Sequence, residues 1–161
     1  MEYLFLSGII ISLFLTLLLL PKSNKTVSDY VLMAWLLFSG YNLLAYYLVY
    51  TNQVLDFFDV VIPALGIPLL QGPFLYLYIK YQTNLIVFQK KDLLHFVPFI
   101  VCTGFHSLFF LLSFDEKMQI LKGGATQYDQ IGLVKLIAIY ISGIVYIPLS
   151  FLKLRLFRKN L

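Results

Sequence analysis

Charge is what this sequence has least of. Charged residues make up 12% of the 161 positions, against roughly 25% in an ordinary soluble domain, and that is too few to cover the outside of a fold in water. Cysteine is scarcer still. Cys102 stands alone in an apolar run, so one chain can form neither a disulfide framework nor a CxxC metal or redox motif. No HExxH, GxSxG or P-loop occurs, and no two carboxylates pair on a membrane helix, so no catalytic residues and no enzyme activity are expected. Apolar residues, by contrast, reach 60% and the mean hydropathy is +0.85. The net charge of +4 comes from short clusters between apolar runs, the pattern of orientation signals and not of a nucleic-acid surface. These proportions define a membrane protein.

About 20 apolar residues at 1.5 Å rise span the hydrocarbon of a bilayer. Five segments qualify: 3–20, 30–50, 57–79, 93–114 and 131–152. Uninterrupted runs of this length are helices, because barrel strands alternate over about ten residues. The expected fold is therefore all-α, a single polytopic bundle of five transmembrane helices over residues 1–161. The first run resembles a secretory signal, but it opens with "MEY", acidic where Lys or Arg is expected, and no small-residue cleavage site precedes Pro21, so it is read as retained. Pro21 stops the first helix, Ser28 or Asp29 is expected to cap the second, and Asp92 the fourth. A short amphipathic turn starts near Asp115 and ends at "KGG", residues 122–124.

Cations set the orientation. Lys22 and Lys25 follow the first segment, Lys80, Lys90 and Lys91 the third, and Lys153, Arg155, Arg158 and Lys159 the fifth; only Lys117, Lys122 and Lys135 fall on the other side, with Asp56, Asp59, Asp115, Glu116 and Asp129. The positive-inside rule then puts the N-terminus outside and the C-terminus in the cytoplasm. Most tyrosines, among them Tyr3, Tyr46, Tyr76, Tyr81, Tyr128 and Tyr146, lie near helix ends as an aromatic belt, and "KLRLFRK" reads as a stop-transfer anchor drawn to anionic lipid.

The third segment contains "PALGIPLLQGPFLYLYIKY", residues 63–81, with three prolines and two glycines. Each internal proline removes a backbone hydrogen bond, which membrane helices tolerate where neighbours satisfy the freed carbonyls. Residues 57–79 are enough for one tilted crossing and too few for two, so a single kinked crossing is expected. Asp59, Gly66, Pro73 and Lys80 fall seven apart and share a slowly drifting face, small or polar, that should pack into the bundle. Gly66, Pro68, Gly72 and Pro73 are the candidate hinge or packing residues; static packing is the plainer reading and a ligand-driven hinge the functional one.

"LLQGPFLYLYIKYQT", "KKDLLHFVPFI" and "LLLLPKSNKTVSDYVLMAWLLF" together resemble the membrane-spanning N-terminal region of integral-membrane AraC-type regulators of Bacteroidota. The resemblance implies a membrane region of more helices, followed by a cytoplasmic helix-turn-helix DNA-binding domain. This sequence stops at "RLFRKNL", without the later helices or that domain, so a truncation or a stand-alone relative is expected, and DNA would be reached only through a C-terminal domain absent from this chain.

Several polar groups map to the outer half of the membrane: Asn42 and Tyr46 on one face of the second helix, with Ser39 and Trp35 extending it, Asp59, His106 and Lys135. Ionisable groups within spans usually face the bundle or a wet cavity. Asn42, Tyr46, Asp59, His106 and Lys135 are thus the candidate ligand-binding set, with Asp59 and Lys135 as a possible counter-ion pair; snorkelling to the interface is the plainer alternative. His95, Cys102 and His106 share a helix face, but His95 is too far along the axis and zinc normally needs three protein ligands, so no metal or other cofactor is expected. The expected function is the sensory and anchoring domain of a membrane-bound AraC-type regulator in a bacterial inner membrane. Its expected partners are the lipid bilayer, an unidentified small ligand and a second copy in a homodimer. The alternatives are a small transporter or channel component, or a purely structural anchor.

Overall fold

The computed structural model describes residues 1–83, 88–121 and 129–159. Its elements are α1 (Glu2–Leu19), α2 (Val27–Tyr50), α3 (Phe58–Ala64), α4 (Gln71–Thr83), α5 (Val97–Ser107), α6 (Phe114–Leu121) and α7 (Asp129–Lys159), with 3-10 turns at Ile67–Leu70, Lys90–Phe96 and Leu108–Leu111. No strand occurs among the described residues. Five stretches are long and apolar enough to cross a bilayer: Glu2–Leu19, Val27–Tyr50, Phe58–Thr83, Lys90–Leu111 and Gly132–Lys159. The chain is an all-helical, multi-pass membrane protein.

The helix starts differ from expectation in an instructive way. Thr26, not Ser28 or Asp29, caps α2: its hydroxyl accepts the Asp29 N–H, and the Asp29 carboxylate accepts the Thr26 N–H at 2.7 Å. This reciprocal box satisfies two orphan donors at once, while Lys22 pairs with Asp29 at 2.6 Å. Ser28 is spent elsewhere, donating to Gln82 at 2.9 Å. Asp92 is likewise no cap. Gln89 precedes the 3-10 turn, and Asp92 lies inside it. The α7 helix runs to Lys159, past the expected end at 152, so the basic tail is helical. Ser113 and Glu116 form a second capping box at α6, and the expected "KGG" terminator lies outside the described residues.

α1 and α2 form a hairpin seated on small residues. Gly8, Ser12 and Thr16 recur every fourth residue on α1, and Gly40 of α2 lies so close that an added Cβ would stand 2.3 Å from the Ser12 hydroxyl oxygen. The buried hydroxyls bond carbonyls of their own helix, Ser12 to Ile9 and Thr16 to Ser12, both at 2.8 Å, so neither is left unsatisfied. The main core lies between α2 and the broken third span. Val31, Ala45, Ile67, Leu70, Phe74 and Leu77 are buried in it, with Trp35, Phe38 and Phe99 packed around.

Candidate functional site

The broken third span is the hub of the molecule. It crosses once, as expected, by joining α3 and α4 through the Ile67–Leu70 turn with right-handed helical backbone on both flanks. Pro63 sits inside α3 and Pro68 at the start of the turn, where bonds shorten to the 3-10 pattern: Leu65 N–H to the Ile62 carbonyl at 3.2 Å, Leu69 N–H to Gly66 at 3.0 Å. Neighbours support the break. The Tyr41 hydroxyl of α2 donates to the Val60 carbonyl at 2.8 Å, and the Trp35 indole N–H donates to the Gln71 side-chain oxygen at 2.6 Å. Gln71 was not among the sequence-derived candidates. An amide in mid-span was the available signal.

The four hinge candidates have distinct surroundings. Gly66 faces the Phe99 ring and the Thr103 hydroxyl, which is buried with no hydrogen-bond partner among the described residues. Gly72 lies under α7, where an added Cβ would come within 2.7 Å of the Ser142 hydroxyl oxygen and 3.1 Å of the Tyr146 Cβ. Pro73 is fully buried, and Pro68 opens the turn. Of the predicted stripe, Gly66, Pro73 and Lys80 are buried, whereas Asp59, in the first turn of α3, is exposed.

At the end of α4 lies a network that the positive-inside reading concealed. The Lys80 ammonium contacts both Asp92 oxygens at 2.7 Å, with the two side chains 11% and 3% exposed. The Tyr81 hydroxyl donates to the same carboxylate, and the Gln89 N–H donates to that hydroxyl at 3.1 Å. Tyr81 is therefore a buried donor, not part of an interfacial belt. One turn beyond Asp92, His95 shares a 2.8 Å hydrogen bond with Tyr146 of α7, and Tyr76 packs against both rings. The third, fourth and fifth spans are thus tied together by polar contacts at one end.

Among the described residues that line the cavity holding Lys135, none of the other four outer candidates occurs. Asn42 is half-buried, and Tyr46 and Asp59 are exposed. No ion pair joins Asp59 to Lys135 among the described residues. His106 is buried and donates its Nδ1–H to the Cys102 carbonyl at 2.7 Å; a carbonyl only accepts, which fixes the tautomer. Lys135 lies within electrostatic reach of Cys102 and His106, and it lines an apolar cavity of about 520 Å³ between α5 and α7. No three of His, Cys, Asp and Glu converge as metal ligands among the described residues. Comparison with protein-family models, curated proteins and solved structures finds no match to this chain.

Proposed function

We propose that this multi-pass chain is the sensory and anchoring region of a membrane-bound regulator of the AraC type, in a bacterial inner membrane with its N-terminus outside and C-terminus in the cytoplasm. The reading is non-enzymatic: a change at the outer half alters packing at the break in the third span, and α7 carries it inward. One observation supports it above others. Gly72, two residues after the 3-10 turn, is the seat on which Ser142 and Tyr146 of α7 rest, so rotation or straightening of the break would move α7 directly. A stimulus must bind two packings with different affinity to drive this. Disulfide formation between Tyr76→Cys and Tyr146→Cys should change in rate when the active stimulus is present. Equal rates under every stimulus tried would remove the sensory role and leave an anchor. The orientation is tested separately: a fluorescent protein fused after Lys159 should fluoresce, and a periplasmic phosphatase fused there should be inactive.

A further inference from the structure

The cavity between α5 and α7 is chemically lopsided. Its walls are Leu69, Val97, Val101, Phe105, Val134 and their neighbours, and among the described residues Lys135 is its single charged lining residue. Val97, Val101, Phe105 and Val134 are exposed on the outer surface of the helix bundle, so the cavity opens sideways into hydrocarbon and not toward water. The Lys135 ammonium has no ion-pair or hydrogen-bond partner among the described residues. It lies six residues into α7, about 9 Å from the helix start at 1.5 Å per residue, and three residues into the apolar span that begins at Gly132, close enough to its end for a snorkelling stem to bring the amine to the headgroup level.

We propose that this cavity holds one acyl chain of an anionic bilayer phospholipid, whose phosphate pairs with the Lys135 ammonium. Charge complementarity selects the headgroup: a cation near the hydrocarbon edge with no ion-pair partner among the described residues takes an anion, and anionic phospholipids are the standing anions of that interface. A zwitterionic lipid brings its own cation beside Lys135 and gains less. The apolar wall from Val97 to Phe105 runs about 12 Å along α5, matching an extended stretch of chain, and the cavity falls within the roughly 300–1,000 Å³ of small-molecule sites. The lateral opening lets a lipid enter without leaving the membrane. This inference rests on the chain's place in the membrane and not on a signalling role.

Cys102 lines the cavity and is the chain's one cysteine, which makes it a native reporter of occupancy. The full chain is reconstituted in phosphatidylcholine vesicles with and without phosphatidylglycerol, and the rate of Cys102 alkylation by membrane-permeant N-ethylmaleimide is measured. Phosphatidylglycerol should slow alkylation several-fold; Lys135→Arg should keep the slowing and Lys135→Gln should abolish it. Equal rates in the two vesicles overturn the proposal. Slowing that persists in Lys135→Gln reflects surface potential alone and also overturns it. Protection by an added long-chain fatty acid but not by phosphatidylglycerol assigns the groove to a free acid and overturns the phospholipid. Should Lys135→Gln not elute as a monodisperse particle, native mass spectrometry of the unaltered chain released from mixed vesicles decides: one retained phosphatidylglycerol in preference to phosphatidylcholine is expected, and no preference overturns the assignment.

Discussion

At Gly72 a single hydrogen atom in place of a side chain lets two membrane helices touch. The nearest obstacles to a Cβ include the Tyr146 Cβ, which is fixed to the α7 backbone and cannot swing away. Gly72→Val should therefore destabilise by about 1–3 kcal/mol through overpacking, measured by unfolding in detergent micelles, and should increase separation of spin labels placed on α4 and α7. Lys80 and Asp92 carry a different kind of cost. Removing one partner of a buried ion pair typically costs about 3–5 kcal/mol, whereas replacing both by apolar residues of similar size can be neutral. Asp92→Ala should fall in that range, and Lys80→Met with Asp92→Leu should be more stable than Asp92→Ala alone. A double variant as unstable as the single one would mean that the pair does not act as a unit.

Helix boundaries and helix pairing follow from short-range chemistry of unequal legibility. A Thr-x-x-Asp pattern at residues 26–29 and a Ser-x-x-Glu pattern at 113–116 are both present in the sequence, and the structure uses both as reciprocal caps. Glu116 is fully exposed, and its carboxylate is held below the ordinary glutamate range first by the Ser113 backbone N–H and then by the Ser113 hydroxyl. A depressed folded value means that the stabilisation is present above the ordinary glutamate value and is lost as pH falls through the lower, folded one. Amide exchange at Ser113–Lys117 should therefore be slow at neutral pH and, after correction for intrinsic rates, lose protection in that acid window; Glu116→Gln should flatten the dependence. The α1–α2 hairpin is also specified at this scale. Gly40→Leu should push α1 from α2 and lower stability more than Gly40→Ala, as read by thermal unfolding in micelles, since the Ser12 hydroxyl that an Ala methyl meets is attached directly at its Cβ and has limited room to turn.

Across the whole molecule, burial is concentrated in one span. Leu77 in α4 is 1% exposed, whereas Ile144 in α7 is 72% exposed to the membrane side. Leu77→Ala should cost roughly 2–5 kcal/mol by leaving a cavity, and Ile144→Ala should change micellar stability little, because lipid or detergent covers that face in either case. With so much apolar surface uncovered, extraction without detergent should yield aggregates. A monodisperse particle in plain buffer would contradict the membrane assignment. The five crossings and the single passage of the proline-rich segment were legible in advance, since length and hydropathy suffice for them. The surroundings of the candidate residues were not: Lys135 lines an apolar cavity and His106 is buried, whereas Tyr46 and Asp59 are exposed and Asn42 is half-buried.

Composition determined that lipid is the solvent, and the length of the uninterrupted apolar runs determined that the chain crosses as helices and how many times, because peptide groups in hydrocarbon must be satisfied within helices or closed barrels and barrel strands alternate over about ten residues. Tertiary structure alone decided which polar groups meet. Lys80 and Asp92 looked like an orientation signal and a helix cap, and they became a buried pair because the Lys90–Phe96 turn lies against the end of α4. Periodicity along a helix fixes the face a residue occupies. It does not fix which neighbour that face will touch, nor can it see the register change that a 3-10 turn introduces in mid-span.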